Sequence, residues 1–242
     1  MSTLDVFTAS SGLRAYSSET VYATRVNATE QRASDAGPKQ LWDLELDLSN
    51  AELALVEAFF VAHDGPYEGF VFLDPSDNLL KWSENFQQAA WEKTAPSFFQ
   101  MVGTRITNTS GSPNVLQQAV PVQGIALAAS VWLKSASAPI TLRLTSALEK
   151  VVLPGDDWTR YTVAGTPGGP SGFEIEFPAG ASVDVTGAQV VIGRAPGVYI
   201  RTGAVSGYHA NAHFESQELQ HRIVGPGRNQ VRLRIACPLG VL

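Results

Sequence analysis

Cysteine is almost absent from this sequence. Cys237 is the only one among 242 residues, which excludes an internal disulfide framework and leads us to expect a protein assembled in a reducing cytoplasm. No apolar run approaches the roughly 20 residues that a membrane-spanning helix needs. The first residues also lack the basic start and apolar stretch of a secretory signal. We therefore expect neither membrane insertion nor secretion.

Positive charge is in the minority. The chain has 17 Lys and Arg against 23 Asp and Glu, for a net charge of −6 at pH 7. This balance argues against nucleic acid as a partner, because binding a phosphate backbone needs a cationic surface. The arginines between positions 222 and 234 have the spacing of side chains on a strand, so we interpret them as the answer to an acidic strand.

Residues for metal or cofactor chemistry are also scarce. The chain has four histidines, and no phosphate-cradling Gly-rich loop, nucleophile elbow or His-Glu-x-x-His motif occurs. His209 and His213 are four residues apart, but their neighbours do not favour a helix that would bring them to one face. Zinc needs three or four convergent ligands. The sequence therefore predicts no metal site and no cofactor.

One pair of acidic residues has a spacing worth weighing as catalytic. Glu174 and Glu176 share one face of a predicted strand, with Phe173, Ile175 and Phe177 on the other. Paired carboxylates cleave glycosidic bonds only where they flank a cleft at about 5–10 Å separation. A solvated strand face is the simpler interpretation. We therefore expect no enzyme and assign no catalytic residue.

Two segments far apart in the chain alternate between apolar and charged residues. Residues 41–48 place Trp42 and three leucines on one face and acidic residues on the other, and residues 230–235 alternate in the same way with a basic second face. A period of two is typical of half-buried strands. Opposite charges facing each other across two strands are stabilising. The predicted structural cross-strand charge pairs involve Asp43, Glu45, Asp47, Arg232 and Arg234.

This match predicts a split domain. If the two strands are neighbours, residues 1–78 and 206–242 build one domain, and residues 79–205 are inserted into it. The alternative is that the two are unrelated amphipathic strands of one long sandwich. The inserted segment has fewer charged residues than its flanks and holds four of the five tryptophans.

The first part of the split domain predicts strands around one helix. Residues 20–26 read as a strand and 33–40 as a polar loop. Ser49 and Glu52 form a capping box, apolar residues follow at helical spacing, and residues 63–66 are a stop signal. A further strand covers 67–73, and the turn at 225–229 predicts a hairpin with the basic strand. The apolar positions of the helix are Leu53, Val56, Phe59 and Phe60.

The inserted segment lacks helical periodicity. Short strand-like runs alternate with Gly, Pro, Ser or Asp, which favours an antiparallel jelly-roll sandwich. The fold class predicted is thus all-β with one short helix, a small β-sandwich or barrel split by a jelly-roll. The predicted strands are 98–107, 115–122, 125–133, 140–145, 150–153, 158–163, 173–177 and 183–192.

The tryptophans of the inserted segment have two interpretations. An exposed aromatic ring can bind sugars, whereas a Trp in alternation with apolar neighbours anchors a sandwich core. Trp132 lies between Val131 and Leu133, which favours the core. Trp91 and Trp158 fit either interpretation, so the sequence identifies no glycan-binding residue.

Two motifs add a resemblance to a known family. Residues 41–48, the capped helix and the sequence GFVFLDP at 69–75 resemble, in this order, the N-terminal belt domain of distal tail proteins from long-tailed, siphophage-type bacteriophages. The hairpin at 219–235 looks like the return of that domain. The sequence LLKWSENF at 79–86 is similar to the opening of jelly-roll modules, like carbohydrate-binding modules, that are inserted in phage tail and adhesion proteins.

The resemblance implies a structural virion protein. Such a protein forms a ring of six copies, a homohexamer, in the tail tip or baseplate, and joins the tail tube protein to the tail hub and tip proteins. It is made in the cytoplasm of the bacterial host and resides in the virion. The inserted module then contacts host surface polysaccharide. The alternative function is a glycan-binding adhesion protein whose main role is receptor recognition.

Overall fold

A computed structural model describes residues 6–7, 13–21, 39–169 and 171–238. A short 3-10 helix, Pro96–Phe98, precedes β6. The elements in chain order are β1 (Val6–Phe7), β2 (Leu13–Val21), β3 (Lys39–Ser49), α1 (Asn50–Ala62), β4 (Phe70–Leu73), β5 (Glu92–Lys93), β6 (Phe99–Val102), β7 (Arg105–Asn108), β8 (Asn114–Val120), β9 (Leu127–Lys134), β10 (Ile140–Thr145), β11 (Leu148–Val152), β12 (Thr159–Gly165), β13 (Ser171–Phe177), β14 (Ser182–Ile192), β15 (Tyr208–Phe214), β16 (Gln220–Gly225) and β17 (Arg228–Pro238).

The predicted fold class is confirmed, since the described chain is nearly all β and has one α-helix. It divides into two compact units. Unit 1 takes its described residues from Met1–Leu73 and His209–Leu242, and unit 2 is Asp74–Tyr208. Neither helix of the described ranges has the length and hydropathy that crossing a bilayer requires.

Unit 1 is built on one seven-stranded sheet. The strand order is β1-β4-β15-β17-β3-β2, and β16 also pairs with β17. β1 runs parallel to β4, whereas β17 runs antiparallel to β3 and to β16. β3 therefore has β17 on one side and β2 on the other, so the N-terminal and C-terminal segments of the chain form a single sheet.

The alternation of β3 decides which of its faces is buried. Trp42, Leu44, Leu46 and Leu48 are each at most 2% exposed, because successive side chains of a strand point to opposite faces. The apolar residues of β17 join the same core, together with those of β4 and β15. Each fully buried Leu or Ile contributes about 1.5–3 kcal/mol relative to an exposed one. Burial of this face therefore fixes the register.

The helix α1 covers the apolar face of this sheet. The Ser49 hydroxyl accepts a hydrogen bond from the Glu52 amide, and the Glu52 carboxylate accepts one from the Ser49 amide. This capping box begins the helix where the sequence predicted. Leu53 is buried in the core, and Val56, Phe59 and Phe60 pack against it at partly buried positions.

Unit 2 is a β-sandwich of two antiparallel five-stranded sheets. One sheet has the order β11-β10-β13-β8-β5 and the other β12-β9-β14-β7-β6. Their inner faces alternate with polar outer faces, as two-sheet packing requires. β13 illustrates this, because Phe173, Ile175 and Phe177 are 0% exposed, whereas Glu174 and Glu176 lie on the opposite face at partly exposed positions.

Several boundaries differ from the predicted ones. The run 98–107 is divided into β6 and β7 by a turn in which Gly103 has a φ of 60°, a conformation that glycine adopts readily. β15 is an additional strand that the sequence did not predict, because its alternation is irregular. Residues 20–21 of the strand predicted at 20–26 belong to β2, Leu13–Val21. Residues 22–26, and most of the loop predicted at 33–40, lie outside the described residues.

The two ends of unit 2 are held together, which generates a prediction about the units. The Asp74 amide donates to the Gly207 carbonyl at 2.8 Å. Within unit 1, the rings of Phe72 and His209 lie 6.3 Å apart. Replacing residues 75–207 with a short Gly/Ser linker should therefore leave a soluble, β-rich protein with one cooperative thermal transition, measured by circular dichroism. An unfolded linker variant together with independent folding of residues 1–73 would contradict the split domain.

Candidate functional site

The structure places most of the predicted charge pairs directly across the β3–β17 ladder. Arg234 lies opposite Asp43 and donates to both carboxylate oxygens, at 2.9 and 3.0 Å. Arg232 lies opposite Glu45, with 3.6 Å between Nη2 and Oε2. The Arg234–Asp43 pair is the stronger of the two. Its contact is bidentate, whereas the Arg232 side chain is 80% exposed and its ion pair is weakened by solvent.

Asp47 is not brought to either of these arginines. Gln230 lies opposite Asp47 in the ladder, and the Asp47 carboxylate binds Arg228 at the start of β17, with the Arg228 Nε 3.2 Å from Oδ1. Hydrogen bonding to Asp47 raises the pKa of Arg228. Sequence alternation did not find Arg228, because this residue lies in the predicted turn.

A groove of about 530 Å³ on unit 1 is lined by the two opposed pairs Asp43–Arg234 and Glu45–Arg232, together with residues of β2 and of the segment 216–220. Glu218 and Gln220 contribute to its wall. The cations in it already hold carboxylates. This groove therefore offers polar contacts but little uncompensated charge for a ligand.

The two histidines that were considered for metal binding have different surroundings. His209 is buried against Trp42, with their rings 4.5 Å apart. His213 lies at a partly buried position and contacts the backbone near Gly69. Among the described residues, no group of three or more His, Cys, Asp or Glu side chains is placed to hold a metal ion.

The two glutamates of β13 lie on the outer face of the β11-β10-β13-β8-β5 sheet. Glu176 forms an ion pair with Arg143 at 2.7 Å, and Glu149 binds the same guanidinium at 2.9 Å. These hydrogen bonds, that to Glu176 first, raise the pKa of Arg143. Glu174 lines a shallow cleft of about 510 Å³, whose floor includes Gly172. A Cβ at Gly172 would lie 2.9 Å from the Gln118 carbonyl oxygen.

Trp132 is not part of the sandwich core, which corrects the sequence-based interpretation. Its neighbours Val131 and Leu133 are 0% exposed and fill the interior, so the pleat directs Trp132 and Lys134 to the outer face. The segment does alternate between two faces, but only Val131 and Leu133 belong to the apolar inner face. Trp91, in contrast, is 1% exposed, and its indole N–H donates to the Trp82 carbonyl at 3.0 Å.

Trp158 lies on the same outer face as Trp132. Thr159 pairs with Leu133 across the β12–β9 ladder, which puts Trp158 beside Lys134, and the Lys134 Nζ lies 4.9 Å from the centre of the Trp158 ring. The Trp158 side chain is 37% exposed. Two tryptophans that could have been buried are thus presented on one sheet surface.

We call this surface the tryptophan face and define it by five residues on three adjacent strands. Arg160 of β12 and Thr186 of β14 both lie opposite Trp132 of β9. All of these side chains are at least partly exposed, so two flat aromatic rings are interleaved with hydrogen-bonding groups. The residues of the tryptophan face are Trp132, Lys134, Trp158, Arg160 and Thr186.

Gly187 shapes the surface beside Trp132. It lies at an irregularity of β14, between Thr186 and Gln189, with a φ of 61°. A Cβ at Gly187 would lie 2.8 Å from the Trp132 Cδ1 and 3.5 Å from the Tyr199 Cε2. Only glycine therefore permits this backbone conformation while both rings lie against it.

The buried side-chain amide of Gln189 positions Tyr199 at the edge of the tryptophan face. The Gln189 side chain donates to the carbonyls of Pro196 and Val198 and accepts from the Ile200 amide at 2.8 Å. This arrangement holds the backbone around Tyr199 against β14. Sequence reasoning missed Gln189, since a polar residue with long-range backbone partners has no local pattern.

The Tyr199 hydroxyl is fixed as well. It lies 2.8 Å from the Ser83 Oγ and donates to Glu84 at 3.3 Å. Burial is the main reason that the pKa of Tyr199 is raised. The ring therefore stays neutral at physiological pH and presents a fixed aromatic edge.

Comparison with known proteins gives little beyond this geometry. No family model and no curated protein matches the chain. Solved structures of family 29 carbohydrate-binding modules match about half of it. One mutant module has a TM-score of 0.36 and 10% identity, with 51% of this chain and 94% of that chain covered. Another, in complex with mannohexaose, has a TM-score of 0.34 and 10% identity, covering 49% and 92%. Neither value assigns a ligand to this protein.

The charge pairs of unit 1 generate a test of their unequal strength. Reversing Arg234 to Glu places like charges against Asp43 and near Glu19, which lies 3.5 Å from Arg234. We expect Arg234→Glu to lower the free energy of unfolding of the full chain by about 1 kcal/mol, and Arg232→Glu by less than about 0.5 kcal/mol. Urea denaturation measures both.

The double variant Asp43→Arg/Arg234→Glu provides the control. It restores opposite charges at the same positions and should recover most of the loss. An equal or larger loss in the free energy of unfolding for Arg232→Glu, or no recovery in the double variant, would contradict the greater strength assigned to the Arg234–Asp43 pair.

Proposed function

We propose that the protein binds glycans through the tryptophan face of unit 2. The observation that carries this proposal is the outward placement of Trp132 on β9 and of Trp158, directly before β12, on one outer face of the sandwich. Leaving aromatic area exposed forgoes about 25 cal/mol for each Å² that burial would have removed from water. Exposed apolar area of this kind is typical of a binding surface.

The chemistry of the face suits a saccharide. The C–H faces of a sugar ring can lie against an indole, while its hydroxyl groups need donors and acceptors nearby. Lys134 and Thr186 supply these on adjacent strands. Because the face belongs to regular strands, its geometry is fixed before a ligand arrives, which reduces the entropy cost of binding.

The proposal is one of binding without bond cleavage. Of the two glutamates weighed for catalysis, Glu176 is held in an ion pair with Arg143, and both lie on the opposite sheet of the sandwich from the tryptophan face. A retained saccharide should therefore be recovered unaltered.

Tryptophan truncation tests the proposal directly. We expect the full chain to be retarded in native gels that contain a soluble polysaccharide from a panel of neutral and acidic types. Trp132→Ala and Trp158→Ala should each weaken binding at least about tenfold, since removal of an aromatic anchor costs about 2 kcal/mol. Isothermal titration with oligosaccharides of the retained type measures the change.

The matched control is Tyr67→Ala, which removes an aromatic ring that is 68% exposed on unit 1. Binding should be unaffected by this change. Undiminished binding in both tryptophan variants, or no binding to any polysaccharide of the panel by the intact protein, would refute the proposal.

A second function, ring formation in a phage tail tip, is favoured by a different observation on unit 1. β16 is exposed over most of its length, with Ile223 74% and Val224 44% exposed. Among the described residues it pairs on one side only, with β17, and β2 likewise pairs only with β3. Two open edges of one sheet support head-to-tail addition of further copies, and a closed ring requires a heterologous contact of this kind.

In this second proposal the copies form the ring of six that the resemblance to distal tail proteins implies, located in the virion between tail tube and hub proteins. We expect Ile223→Lys to convert an oligomer of the full chain into a monomer, because a charge on an apolar edge prevents edge-to-edge pairing. Light scattering after size-exclusion chromatography and negative-stain electron microscopy provide the measurement.

Val151→Lys is the control, since Val151 is 62% exposed on β11 of unit 2 and should leave the oligomer intact. A wild-type chain that is monomeric at all concentrations, or an Ile223→Lys oligomer of unchanged mass, would refute ring formation.

A further inference from the structure

The charges on the tryptophan face are unbalanced. Within the described ranges, no carboxylate forms an ion pair with Lys134 or Arg160. The Arg160 guanidinium donates only to neutral groups, the Ser130 hydroxyl at 3.1 Å and the Gly197 carbonyl at 2.6 Å. Both cations therefore lack a counter-ion, although the whole chain has a net charge of −6.

Two carboxylates beside this surface are already occupied. Asp184 lies opposite Lys134 in the β14–β9 ladder, but its carboxylate binds Arg105 at 3.2 Å. Glu84, which accepts from Tyr199, pairs with Arg201 at 3.0 Å. Asp184 and Glu84 are thus each matched by an arginine. Asp156 and Asp157 directly precede Trp158, so the unmatched positive charge is local to Lys134 over the Trp158 ring.

The other sheet of unit 2 has the opposite character. Its outer face carries Glu149, Glu174 and Glu176 around the single guanidinium of Arg143. An anionic ligand is repelled from that sheet and attracted to the tryptophan face, because local charge distribution raises or lowers the concentration of a charged ligand at a surface. The two faces therefore differ in the charge of the ligand that they accept.

We propose that the saccharide bound at the tryptophan face is anionic, with its acidic group held at Lys134 beside Trp158. This inference rests on the proposed glycan binding. The ammonium group has three donors, and its position 4.9 Å from the centre of the Trp158 ring places a charge and an aromatic surface within one sugar residue. An ammonium–carboxylate hydrogen bond is about twice as strong as a neutral one.

Carboxylate and sulfate ester groups share this chemistry, so the test includes both. Isothermal titration of the full chain uses hexagalacturonate, its fully methyl-esterified form as a neutral match of equal size, and a sulfated hexasaccharide derived from heparin. We expect the carboxylate ligand to bind at least about tenfold more tightly than its ester. This preference should diminish as sodium chloride is raised, because salt screens exposed charges.

Lys134→Met separates the charge from the rest of the site. Methionine retains an unbranched apolar side chain over Trp158 but removes the cation, so affinity for the acidic ligand should fall about fivefold more than affinity for the ester. The control is Lys150→Met, which makes the same change in net charge at an exposed position of β11 on the opposite sheet and should not alter binding. Thermal unfolding verifies that both variants fold.

The outcomes distinguish this inference from the proposal on which it rests. Equal affinity for acid and ester, or equal losses in the two lysine variants, would overturn the anionic preference while glycan binding stands. Tight binding of the sulfated ligand alone would assign the site to sulfate esters and support the inference. Binding of none of the three ligands, and of no other polysaccharide, would overturn both.

Discussion

The pleat of the β-strand is the constraint on which both units depend. Because side chains alternate between the two faces of a strand, a strand whose inner positions are filled must present every other residue outward. On β3 this separates a fully buried apolar row from Asp43, Glu45 and Asp47. On β9 the same rule buries Val131 and Leu133 and places Trp132 and Lys134 at the surface.

The irregular backbone at Gly187 orders the aromatic rings that lie against it. The φ of 61° at Gly187 and the close approach of the Trp132 and Tyr199 rings depend on the missing side chain. Gln189 is fully buried and anchors the segment that carries Tyr199. Preorganised groups of this kind bind with less loss of conformational entropy than mobile ones, so the backbone irregularity favours the proposed recognition.

The sequence predicted most of the strands and the capped helix, because alternation and capping are local patterns. The sequence-based assignment of Trp132 to the core was wrong, because Val131 and Leu133 on either side of it are the residues that face inward. Arg228 was missed as the partner of Asp47 because it lies in the predicted turn at 225–229, outside the alternating segment 230–235. The tryptophan face itself joins three strands that are distant in sequence, and only the sheet order brings them together.

The proposed recognition at the tryptophan face is tested most directly through the indole N–H groups. The chain has five tryptophans, and a nitrogen–proton correlation spectrum of the intact protein gives each indole its own signal. On titration with a bound oligosaccharide, the signals of Trp132 and Trp158 should shift while those of the buried Trp42 and Trp91 stay in place. Unchanged Trp132 and Trp158 signals at saturating saccharide would contradict glycan recognition at this surface.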